Sequence, residues 1–226
     1  EAVKSDGLHV SGHGGTQVNR IAIQDTVPEG PFDFVILATQ PPQVADAALD
    51  VSACMADNGA VVVLQNGLCE ARVAHVIGPN RVLGGIVTFG ASTLAPGKVV
   101  RTSRGGVTLG SYTDPRDPRL DRLRDLLDGL GTVKITENLH GARFSKLALN
   151  CAVSGLGTLA GVRLGTLLNS AEVRNLALAV MREAVAVSRA ESIELEPIGG
   201  TFDLQWLADP EAGWSGLAHW RRHAML

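Results

Sequence analysis

The sequence predicts an α/β domain over residues 1–137 followed by an all-α domain over residues 138–226. Between residues 32 and 91, continuous apolar runs alternate with amphipathic stretches in a strand–helix–strand–helix–strand rhythm, the pattern of parallel crossover units. After residue 137 the β-type runs stop and helical periodicity takes over. Composition agrees, because 45% hydrophobic residues with only 4% aromatics demand a core of Ala, Val and Leu. A chain of 226 residues holds one large domain or two modest ones.

Residues 8–25 alternate loosely and are rich in glycine, so short strands and turns are expected there. FDFVILA (32–38) is a continuous apolar run, suited to a strand buried on both faces. Pro41 and Pro42 lead into QVADAALDVSACMA (43–56), a helix with proline at its first turn. GAVVVLQNG (59–67) is a second buried strand closed by Asn66-Gly67, CEARVAHVIG (69–78) a short helix, and RVLGGIVTFGA (81–91) a third strand. In GKVVRTSRGGVTLGSY (97–112) two β runs flank Arg104-Gly105-Gly106, which reads as a hairpin. DPRLDRLRDLLDGLG (117–131) is an amphipathic helix ended by glycine, and TVKITE (132–137) another strand. In the second domain Ser170 is the N-cap of a long helix over 171–192, and a last helix covers 213–226.

Several function classes are disfavoured. The net charge of −3, from 20 basic and 23 acidic residues without a basic stripe, argues against nucleic acid as a partner. No apolar run approaches the roughly 20 residues of a membrane helix, so no membrane partner is expected. Cys54, Cys69 and Cys151 are far apart and form no CxxC, which suits a reduced, cytoplasmic protein. Cys151, set among Ala, Leu and Val, reads as a packed thiol. His219 and His223 have helical metal spacing, but Trp220, Arg221 and Arg222 between them favour a surface helix, and no metal is expected. The dinucleotide fingerprint G-x-G-x-x-G is absent: GHGGTQ (12–17) ends in Gln17, and GLGTLAG (155–161) follows a helix.

Two features carry chemistry. Asn66 directly follows a buried strand, and ligands of open α/β sheets gather outside the carboxyl ends of strands. The same Asn-Gly is equally a strong turn former. In FSKLALNCAVSGL (144–156), Lys146, Asn150 and Ser154 fall at four-residue steps, so a helix stacks an ammonium, an amide and a hydroxyl in one file. Either the lysine stem packs while its head reaches water, or the file faces a cleft and offers an acid to an oxygen gaining charge.

LQNG (64–67), GGIVTFGASTLAPGKVV (84–100) and above all KLALNCAVSGLGTLAG (146–161) resemble the ketopantoate reductase (2-dehydropantoate 2-reductase) family in residues, order and spacing. The resemblance runs from about residue 5 to at least residue 190 and implies a Rossmann-type cofactor domain, an all-helical second domain and a site between them. It implies NADPH as cofactor and reduction of the 2-oxo acid ketopantoate to D-pantoate, for pantothenate and coenzyme A. By the same resemblance Lys146 is the general acid, Asn150 binds substrate, and Asn66 lies beside nicotinamide and substrate. Ser154 stands where the family has a second substrate-binding Asn, and Gln40, in ILATQPPQV, where it commonly has a cofactor-contacting Lys.

The family's glycine fingerprint would precede Glu1, and its C-terminal Ser and Glu would lie near or beyond Leu226, since Ser215 lacks the right neighbours. The first domain is therefore expected to lack its first strand–helix unit, leaving an open edge at residues 32–38 and weak NADPH binding, and the second to be incomplete at its end. A homodimer is compatible with the resemblance. A reductase of another 2-oxo acid, or a non-catalytic binding module, stays open as an alternative.

Overall fold

The computed structural model describes residues 1–162, 166, 169–198 and 203–208. The Val-rich run around residue 61 forms β4 (Met55–Val63), in which Ala60, Val61, Val62 and Val63 are completely buried. Alternate residues of a strand point to opposite faces, and both faces are covered. Val61 and Val63 pack against α2 (Val44–Val51) and α3 (Glu70–Ile77) through Val44, Ala48 and Val73. Ala60 and Val62 face Leu120 and Leu123 of α4 (Arg119–Leu126). That two-sided burial is why the strand reads as an unbroken apolar run.

β4 belongs to a five-stranded sheet with β3 (Phe32–Leu37), β5 (Val82–Val87), β8 (Val107–Ser111) and β9 (Val133–Ile135), in the order β3-β4-β5-β8-β9. β3, β4 and β5 run parallel, β8 is antiparallel to β5, and β9 is parallel to β8. β3 is an edge strand. Its outer flank is unpaired among the described residues, as expected for residues 32–38. Burial on both faces does not hold for it: only Leu37 is buried and Ile36 is 44% exposed, because an edge strand has neighbours on one side only.

A second sheet of order β2-β1-β7-β6 is built from β1 (Leu8–Gly12), β2 (Gln17–Asn19), β6 (Ala91–Ala95) and β7 (Lys98–Arg101), beside the short α1 (Ala2–Asp6). Here the expected hairpin over 97–112 is corrected. β7 pairs with β6 and β1, whereas β8 lies in the larger sheet. Arg104-Gly105-Gly106 is a crossover between sheets, and Gly106 is needed for close approach, since a Cβ there would lie 1.8 Å from Thr132 O. Arg101 closes the crossover by donating to Gly105 O at 2.9 Å and Leu130 O at 3.0 Å.

Among the described residues the last strand ends at Ile135. Helix α5 (Leu139–Asn150) then runs through a π turn (Cys151–Gly155) into α6 (Leu156–Ala160). The long α7 (Ala171–Ala190) starts at Ser170, whose hydroxyl accepts from the Val173 N–H at 3.3 Å, and α8 (Leu204–Ala208) packs on it. Ala148, Ala152, Ala177, Met181, Val185, Leu195 and Leu204 form their common core. Among the described residues no helix is long and apolar enough to cross a membrane, and no cluster of three metal-ligating side chains occurs. The helix expected over 213–226, with His219, His223 and Ser215, lies outside the described residues.

Candidate functional site

Helix α5 belongs to both halves of the molecule. Asn138 caps it: Oδ1 accepts from the Gly141 N–H at 2.9 Å while Nδ2 donates to Glu194 O at 2.8 Å. Gly141 is required by that arrangement, because a Cβ there would lie 1.8 Å from Glu194 O. Leu139 and Ala142 form a small cluster with Ile86 of β5, and Leu139 fills the space that Gly84 leaves open on the sheet. Further along, Ala148 enters the helical core. One helix thus has its first turns on the sheet and its last among helices.

Between these two packings lies Arg143, 3% exposed. Its Nε donates to Glu70 Oε1, its Nη1 to Gln65 O at 2.9 Å and its Nη2 to Val63 O. Glu70, 4% exposed, is the first residue of α3, where a carboxylate also meets the positive end of the helix. A buried ion pair repays its desolvation only when further hydrogen bonds satisfy it, and the two carbonyls do this for the guanidinium. Next along the strand end, Gln65 Nε2 donates to Thr39 Oγ1 at 3.1 Å, joining the ends of β4 and β3. Among the described residues Gln65 Oε1 and Ser145 Oγ have no hydrogen-bond partner, though both are buried.

Lys146 lies one helical turn beyond Arg143, half-buried on α5, and burial pushes its ammonium pKa down from the ordinary lysine value. Asn150, also half-buried, is the last residue of α5. Ser154 is exposed within the π turn. Between Asn150 and Ser154 the expected file thus meets a change of helix type, the i→i+5 bonding of a π turn, which widens the helix. Cys151 opens that turn and is exposed, which corrects its reading as a packed thiol. Asn66 is exposed at the turn after Gln65, and Gly67 takes φ +89°, a conformation suited to glycine. Gln40 is exposed at the end of the β3 segment, where its backbone N–H donates to Gln43 Oε1 at 3.2 Å.

The Arg143 and Gln65 bonds tie together three distant segments, around Thr39–Gln40, Val63–Asn66 and Arg143–Lys146. No hydrogen bond links the side chains of Lys146, Asn150, Ser154, Asn66 and Gln40 to one another among the described residues. A cavity of about 440 Å³ opens beside the Glu70–Arg143 pair, flanked by Leu68, Tyr112 and His140, and none of those five residues lines it. Sequence reasoning missed Arg143, Glu70 and Gln65. The available signal was a guanidinium within a mostly apolar helix, but its partner lies 73 positions away.

The family model described as "Ketopantoate reductase PanE/ApbA" matches residues 1–114, and its C-terminal counterpart matches residues 138–201. The 2-dehydropantoate 2-reductase of Pyrococcus horikoshii is 26% identical over 197 residues, 87% of this chain and 64% of that protein. That of Nostoc sp. is 26% identical over 201 residues, covering 84% of this chain and 62% of that protein. The chain thus spans less than two thirds of the length of these relatives. Among solved structures, 2-dehydropantoate 2-reductase from Geobacter metallireducens superposes with a TM-score of 0.79 at 22% identity, covering 98% of this chain and 82% of that one. D-mandelate dehydrogenase with NADH and anilino(oxo)acetate also gives 0.79, at 23% identity over 96% of this chain and 70% of that one. At such identities these structures speak for a shared fold.

Proposed function

Given that the chain belongs to the ketopantoate reductase family, we propose that it serves NADPH-dependent reduction of a small 2-oxo acid, ketopantoate to D-pantoate, with Lys146 as proton donor. The observation that carries this reading is the half-buried Lys146 on a helix fastened to the carboxyl end of β4, with its ammonium made more acidic by burial.

The residues at the strand ends fit a nicotinamide. Gln65 Oε1 is a buried acceptor with no donor among the described residues, and it is neighboured by Asn66 in sequence and, through the Thr39 bond, by the Gln40 segment. When bound, the cofactor supplies a hydride to the ketone carbon. Lys146 Nζ gives its proton to the ketone oxygen as negative charge grows there, so a neutral amine and a 2-hydroxy acid result. Asn150, one turn after Lys146, and Asn66 hold the 2-oxo acid in line. Ser154 contributes a hydroxyl at the substrate rim, and Gln40 an uncharged contact to the cofactor.

The exposed Ser154 and uncharged Gln40 favour one second reading, a related reductase of another 2-oxo acid. A panel of 2-oxo acids, each tested with NADPH and NADH on this chain and on any longer natural form of it, separates the two. Ketopantoate with NADPH is expected to give the highest kcat/KM. A ten-fold preference for another acid would replace the substrate while keeping the reaction, and no oxidation of either cofactor with any acid would remove the reaction.

A further inference from the structure

We propose that Arg143, held by Glu70, is a positioning residue that sets where α5 presents Lys146 against the carboxyl end of β4. The inference rests on the reading of Lys146 as proton donor and extends it to a side chain that touches neither substrate nor cofactor. Three hydrogen bonds from one buried guanidinium reach the Val63 carbonyl at the end of β4, the Gln65 carbonyl just beyond it and the Glu70 carboxylate. They fix Arg143 in direction as well as distance, because the guanidinium is a rigid planar fork. Lys146 follows three residues later on the same helix, about 4.5 Å along its axis, so a rotation or slide of α5 moves both together.

Around the pair, directional bonds act beside packing. A cavity of about 440 Å³, lined by Leu139, His140 and Arg143 of α5, adjoins the pair. Leu139 rests over Gly84, and the Glu70 carboxylate occupies the same glycine-made space, since a Cβ on Gly84 would lie 2.6 Å from Glu70 Oε1. The hydrogen bonds of Arg143 thus add a directional constraint to the seat that these close contacts define. Misplacement of a catalytic group by about 1 Å costs on the order of 10²-fold in rate.

The test removes the pin without leaving a buried charge. Glu70→Leu with Arg143→Met replaces the pair by apolar side chains, a change that often preserves stability. Glu70→Gln with Arg143→Gln, which places two neutral hydrogen-bonding side chains there, repeats the test if the apolar double variant does not fold. Expected is a kcat lower by about 10²-fold with the KM for 2-oxo acid within about three-fold of the parent. An unchanged kcat in a folded variant would overturn the positioning role.

A second readout needs no turnover. Acetylation of Lys146 by an N-hydroxysuccinimide ester, resolved by peptide mass spectrometry across pH, reports how its amine is seated. In the variant the Lys146 midpoint should move up toward the ordinary lysine range. An unmoved Lys146 midpoint would count against the proposal. If the parent reduces no 2-oxo acid, the functional reading falls, and this midpoint alone decides whether Arg143 positions Lys146.

Discussion

At the scale of single residues, the decisive property is the burial of one ammonium. A charged group moved out of water loses solvation, and Lys146 answers by holding its proton less tightly. Its folded pKa lies below its unfolded one, so between the two values the unfolded chain binds more protons and stability rises with pH. Below the folded pKa the full cost of burying the charge is present. Lys146→Met should remove this dependence, giving a higher Tm at neutral pH and a flatter Tm profile up to the ordinary lysine range near pH 10.4. A profile as steep as the parent's would mean that the ammonium is not desolvated. The same shift predicts that kcat falls as pH rises through a value below that range, because a general acid must carry its proton.

At this scale the sequence was legible where chemistry is local. Lys146 and Asn150 lie one turn apart on α5, as four-residue spacing on a helix requires, and Ser170 caps α7. Cys151 was misread as a packed thiol, and nothing in CAVSG announces the π turn that it opens. The buried Arg143–Glu70 pair was equally hidden, being set by tertiary contact between residues 73 apart.

At the scale of elements, α5 is the joint between a sheet and a helical core, and its seat depends on missing side chains. Gly84 lets Leu139 and Glu70 share one space on β5. A Cβ there would lie 2.7 Å from Leu139 Cδ2, closer than packed carbons tolerate. Gly84→Ala should destabilise the chain by about 1–3 kcal/mol, the usual range for overpacking. Urea denaturation checks this, and a midpoint equal to the parent's would show that α5 can shift without loss. The periodic elements α2, α3, α4 and α7 were readable because one apolar face repeats along each. The hairpin at 97–112 was not, since Arg-Gly-Gly serves a turn or a crossover equally well, and pairing with β1, some 90 positions upstream, decided between them.

For the whole molecule, two sheets and a helical core are arranged so that the ends of β3 and β4 meet the middle of α5. The order of strands and helices was readable from hydrophobic rhythm, but the division of strands into two sheets was not, because β1, β6 and β7 look like any short β run. The placement of β3 at an edge exposes Ile36 and leaves its outer hydrogen-bonding groups unpaired among the described residues. The central claim is that this arrangement brings a proton donor to a ketone at the strand ends. Turnover of ketopantoate at saturating NADPH by the parent and by Lys146→Ala tests it most directly, with the cofactor Kd measured alongside. The account predicts a kcat lower by about 10²–10⁴-fold and a Kd within about three-fold of the parent's. A Lys146→Ala turnover within about three-fold of the parent, on that same scale, would contradict it.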